Sequence, residues 1–165
     1  MPTPIVRLLP MDEAHFPAYR DYFIDDYARD LASNHGLTQT EARQQAEASL
    51  RQYLPQGTAT PGQSLLCIVP VNDNVGSAVA PIAGYLWHSI DSAAHSTFIY
   101  DFYTLPAHRG LGYGKAAMAV LEAELKCLGV SQIKLRVAYD NPRARALYEE
   151  IGFHITGYNM AKTLG

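Results

Sequence analysis

Residues 106–118 read PAHRGLGYGKAAM. Gly110, Gly112 and Gly114 stand at alternate positions, with Arg109 just before them and Lys115 just after. Glycine lets a ligand come close to the main chain, and two cations beside it favour an anion. The stretch lies between a strand expected to end near Thr104 and a helix expected to begin near Gly112. The first amides of a helix have no partner inside it, and the helix dipole places partial positive charge there. Strand, glycine turn and helix together are one way to hold a diphosphate. The same glycines equally suit a tight turn with no ligand.

Two nucleotide motifs do not fit. A Walker-type phosphate loop needs glycine at position 109 and Ser or Thr after Lys115, where Arg109 and Ala116 stand. The dinucleotide fingerprint, counted from Gly110, needs a third glycine where Lys115 stands. The chain has 165 residues, 48% apolar and 18% charged, which suits a single soluble domain over residues 1–165 with a sizeable core. A net charge of −3 argues against a nucleic-acid partner, which usually needs a basic face. Cys67 and Cys127 form no CxxC or Cys/His cluster, so no metal site and no disulfide scaffold are expected. The opening MPTPIVRLLPMDEAHF has no signal-peptide pattern, and no apolar run approaches about 18 residues. A cytoplasmic protein with no membrane partner is expected.

The elements that must position the glycine turn follow from periodicity. Ile5–Leu9 reads as a first strand. Residues 12–33 read as a helix with Phe16, Tyr19, Phe23, Tyr27 and Leu31 on one stripe, stopped at Asn34-His35-Gly36. Thr38 with Glu41 three residues on is a capping-box spacing, opening a helix that runs to about Leu54. Leu65–Val69 is an apolar strand, followed by a turn at Asn72-Asp73-Asn74 and Gly76. Ile82–Ile90 and Thr97–Thr104 read as strands, rich in aromatic and β-branched residues. A helix over 112–128 carries Ala117, Val120, Leu121, Leu125 and Leu128 on one stripe. Residues 132–138 alternate as a strand, Asn141-Pro142 opens a helix ending at Gly152, and a strand or hairpin fills 153–163. The order β-αα-βββ-α-β-α-β implies an α/β chain with a mixed sheet and helices on both faces.

Arg109-x-x-Gly112-x-Gly114 resembles the R/Q-x-x-G-x-G/A signature of the GNAT acetyltransferase superfamily. NPRARALYEEIGF, residues 141–153, is similar to that family's Asn-x-x-(Ala)-x-x-x-Tyr-x-x-x-Gly-Phe segment, and Met160-x-Lys162 resembles its final strand. The element order matches from end to end, most firmly over residues 98–162. The resemblance implies the acyl-CoA N-acyltransferase fold: a mostly antiparallel sheet whose central parallel pair splays apart around acetyl-CoA.

By that resemblance the amides of Arg109, Gly110, Leu111, Gly112, Tyr113, Gly114 and Lys115 hold the pyrophosphate. The backbone of Phe102, Tyr103 and Thr104 pairs with the pantetheine arm like an added strand; Thr104 stands where the family usually has Val. Asn141 matches a residue that contacts the cofactor arm, a role that competes with capping the helix. Tyr148 matches the family's general acid for the departing CoA thiolate, and it sits equally on a packing stripe with Ala144 and Ile151. YDFYT, residues 100–104, loosely resembles the EDFFV-type strand of diamine acetyltransferases, with Tyr100 in place of the Glu. That leaves Asp101 to bind the amine or relay its proton, provided strand alternation does not point it away. Asp25, Asp26 and Tyr27 fall where the family lines its acceptor pocket, or on a solvated helix face. Core packing for Trp87 and an ordinary polar position for His88 are expected. The implied activity is acetyl transfer from acetyl-CoA to an amine of a small molecule or peptide, in a ternary complex. The alternatives are a non-catalytic acyl-CoA-sensing module, suggested by Tyr100, and a nucleotide binder using the same turn. Homodimers are common in the family.

Overall fold

The computed structural model describes residues 2–71 and 81–165. Five strands and four α-helices follow in the order β1 (Val6–Pro10), α1 (Phe16–His35), α2 (Gln39–Tyr53), β2 (Ser64–Pro70), β3 (Gly84–Asp91), β4 (Ser96–Thr104), α3 (Tyr113–Cys127), β5 (Gln132–Leu135) and α4 (Pro142–Glu150). Single 3-10 turns at Gly57–Ala59 and Pro106–His108 join α2 to β2 and β4 to the glycine turn. The expected turn at Asn72–Asn74 and Gly76 lies outside the described residues.

The strands form one sheet in the order β1-β2-β3-β4-β5. Successive pairs are antiparallel except β4 with β5, which run parallel. The mixed sheet covered on both faces is as expected; among the described strands the parallel pair stands at one edge. One core joins α1 and α2 to the sheet through Tyr19, Leu31, Leu50, Leu65 and Trp87. The other joins α3 to the opposite face through Val6, Ile68, Leu86, Ile99, Ala117 and Leu121. Leu128, expected on the α3 stripe, instead sits beyond the last helical turn and is exposed.

Local chemistry explains most boundaries. Gly36 takes the left-handed conformation that ends α1, at φ 66°. The Thr38 side chain accepts from Glu41 N at 3.2 Å, and Glu41 Oε2 accepts from Thr38 N at 3.0 Å, so the capping box is complete. Two expectations fail. Strand β5 stops at Leu135 instead of 138, so among the described residues β4 has no partner on that side beyond Ile99. No strand or hairpin forms over 153–163; residues 154–165 have no regular secondary structure, are exposed and lie outside the sheet.

Candidate functional site

The early end of β5 creates the site. β4 keeps its β3 neighbour through Thr104, but β5 pairs only with Ser96–Ile99. Leu105 N donates to Ala83 O at 2.8 Å, so Thr104, one residue earlier, turns its own amide and carbonyl away from β3, toward the vacated edge. A cleft of about 1210 Å³ opens there, and every site residue named above, from Asp101 to Tyr148, lines it.

At one end of the cleft lies the glycine turn. Gly112, the residue before α3, has φ 85°, and an added Cβ would meet Pro4 Cδ at 3.1 Å. Conformation and space therefore both demand glycine. Ala116 N makes the first bond of the turn, to Gly112 O at 3.0 Å. The amides from Gly110 to Lys115 have no backbone partner among the described residues, as a helix start requires. Arg109 differs from expectation: its amide donates to Pro106 O, its Nε donates to Thr104 O at 3.0 Å, and its guanidinium lies 5.1 Å from the Tyr103 ring centroid. Lys115 pairs with Glu150 of α4. The free donors of the turn are thus mainly amides. Gly114 is helical, and an added Cβ there would meet Leu147, Thr104 and Phe102 only at ordinary contact distances, so the fold does not demand glycine at that position.

At the other end stands Asp101. A β-bulge between β3 and β4 pairs Trp87 with Asp101 but His88 with Ile99, leaving Tyr100 as the extra residue. The bulge reverses the alternation. Ile99 and Phe102 face the α3 core, whereas Asp101 and Tyr103 face α1. There Asp101 accepts from Tyr22 Oη at 2.9 Å and from Tyr19 Oη at 3.1 Å. Burial pushes its carboxyl up to about 7 and the charge of Asp26 adds to this, while the two tyrosine hydrogen bonds pull the other way. A carboxyl poised near neutrality can take a proton and give it back.

Tyr148 of α4 reaches the cleft with its ring 6.3 Å from Phe102 and 5.5 Å from Phe153. Burial, and then the charge of Asp101, raise its phenol above the ordinary value, so it stays protonated. Asn141 caps α4, its Oδ1 accepting from Ala144 N at 3.1 Å; that oxygen serves the helix. Trp87 is core, as expected. His88 is not an ordinary polar position: it is buried, bonded through Nδ1 to Thr97 Oγ1 at 2.8 Å, and burial lowers its pKa. Asp25 ties α1 to Arg43 of α2, whereas Asp26 and Tyr27 line the cleft. In the sequence Tyr22 belongs to no motif, and Tyr19 reads only as core. Their i, i+3 spacing, which puts both hydroxyls on one helix face, was the available signal.

Comparison with known proteins gives one answer. The model of the acetyltransferase (GNAT) family matches residues 21–153. YycN of Bacillus subtilis, named as an uncharacterised N-acetyltransferase, is 30% identical over 161 residues, covering 96% of this chain and 99% of its own. Its crystal structure matches with a TM-score of 0.85 over 96% of this chain and 98% of that one. Spermidine N-acetyltransferase from Vibrio cholerae, solved with CoA and spermine, matches with a TM-score of 0.62 at 18% identity, covering 92% and 82% of the two chains, a likeness of fold. No helix among the described residues is long and apolar enough to cross a membrane. The chain belongs to the GNAT family of acetyltransferases.

Proposed function

We propose that the protein transfers the acetyl group of acetyl-CoA to a primary amine of a small molecule or peptide, by direct attack in a ternary complex. The observation that carries this reading is the position of Asp101. It lies on β4 next to the free strand edge, with its carboxyl pushed up to about 7 and the glycine turn further along the same cleft. Acetyl-CoA suits the residues present. Its pantetheine amides need the partners that the Phe102–Thr104 edge offers, and its diphosphate needs the amides of Gly110–Lys115. At Gly114 the fold leaves room for a side chain, so close ligand approach is the remaining reason for glycine.

Acetyl-CoA would supply the acetyl group as an activated thioester. The chain's own work is proton handling. An amine acceptor is an ammonium at neutral pH, and Asp101 takes one of its protons. The freed lone pair forms the C–N bond while the C–S bond breaks. Tyr148 donates its hydroxyl proton to the departing sulfur as charge builds there, and the second proton leaving nitrogen replaces it. The products are an amide, a free thiol and one proton released to solvent through Asp101. Two free cysteines, Cys67 buried and Cys127 exposed, support a reducing compartment, the cytoplasm.

The test is thiol release from acetyl-CoA across amines, amino acids, aminoglycosides, polyamines and peptides. Turnover with at least one amine is expected. Acetyl-CoA binding with no turnover across the whole panel would favour a sensing module and count against this reading.

A further inference from the structure

We propose that the acceptor is a primary monoamine on an aromatic body, bound on a shelf formed by Tyr53, Phe98 and Tyr100; this rests on the acetyl-transfer reading above. Tyr100, the bulge residue, stacks on Trp87 with ring centroids 4.7 Å apart and planes 23° apart. Tyr53 of α2 stands 5.7 Å from Tyr100, and Phe98 stands 4.9 Å from it edge-on. All four rings line the cleft, and Tyr53, Phe98 and Tyr100 are exposed. Large apolar faces left in water inside a cleft mark a binding surface. Trp87 is buried and backs the shelf from beneath: its Nε1 donates to Gln63 Oε1 at 2.8 Å, and Tyr100 covers its ring.

Charge selects the number of amines. Three carboxylates line the cleft. Asp26 lies 3.6 Å from Arg29, and Asp30 lies 3.4 Å from Arg136. Asp101 has tyrosine hydroxyls as its side-chain partners. A polyamine needs several carboxylates along its length, and here two of the three already face guanidinium groups. One acid without a cation suits one ammonium. Tyr100 immediately precedes Asp101 in β4 and lies over Trp87, the cross-strand neighbour of Asp101, so the exposed aromatic surface begins beside that acid. A ring on the shelf places its alkylamine at the carboxylate. A peptide would bring backbone amides that these ring faces leave without partners.

Calorimetry with acetyl-CoA comes first, and absence of binding would overturn the acetyl-transfer reading and this inference together. With binding established, kcat/KM is measured for phenethylamine, spermidine and a tripeptide. A preference for phenethylamine of about tenfold or more is expected from ring contacts. A preference for spermidine or the tripeptide would overturn the aromatic monoamine while leaving acetyl transfer intact. Tyr53→Ala and Phe98→Ala, each at an exposed ring, should raise KM for phenethylamine about tenfold and KM for methylamine less than twofold. Equal changes for both amines would also overturn the shelf.

Discussion

Asp101 is a carboxylate whose neighbours hold it where a small pH change alters its charge. With its carboxyl near 7, kcat/KM should rise with pH through about 7 as the carboxylate forms. Asp101→Asn should remove that limb and lower kcat/KM by about a hundredfold or more; an unchanged profile would exclude Asp101 as the proton acceptor. Tyr148→Phe should slow thiol release about tenfold to a hundredfold and leave acetyl-CoA affinity as it is. An unaltered rate removes Tyr148 from the chemistry. The identity of both residues was readable in sequence, because motif spacing names positions. Their environment was not, because the hydroxyls that bind Asp101 come from Tyr19 and Tyr22, 82 and 79 residues away. Periodicity marked Tyr19 as core, which it is, and carried no sign that its hydroxyl faces a carboxylate.

Strand β4 has to hold β3 on one edge and keep the other edge free. Gly84 makes that pairing possible: a Cβ there would lie 2.1 Å from Tyr103 O, a distance no side chain tolerates. Gly84→Ala should push β3 from β4 where the cofactor edge lies. A melting temperature several degrees lower is expected, for a cost of about 1–3 kcal/mol. Weaker acetyl-CoA binding should accompany it. Helix starts and stops were legible because caps are local chemistry, as at Gly36 and Thr38. The end of β5 was not, because 132–138 alternates throughout and the departure of the chain at Leu135 depends on its neighbours. The strand expected at 153–163 has the right alternation, yet residues 154–165 pair with no strand among the described residues.

At the scale of the molecule, two cores on opposite faces of the sheet hold the cleft open between α1 and α4. Charge in that cleft bears on stability. Folding raises the Asp101 pKa above its ordinary 3.8, so the folded chain binds this proton more tightly than the unfolded chain. Its contribution is most favourable at low pH, falls as pH climbs from about 4 to about 7, and stays lower above. The melting temperature of Asp101→Asn relative to the natural chain should therefore grow from pH 5 to pH 8, and a constant difference would refute this cost. The bulge at Tyr100 carries a different kind of constraint. In a strand, parity decides which side of the sheet a residue serves, and one extra residue between Ile99 and Asp101 inverts the parity of everything after it. A regular ladder running through Tyr100 would turn Asp101 into the α3 core and Phe102 toward the tyrosines. Deleting Tyr100 would restore a regular ladder with Asp101 still opposite Trp87, so the two faces of the site depend on how the strand accommodates its extra residue and not on that residue being there.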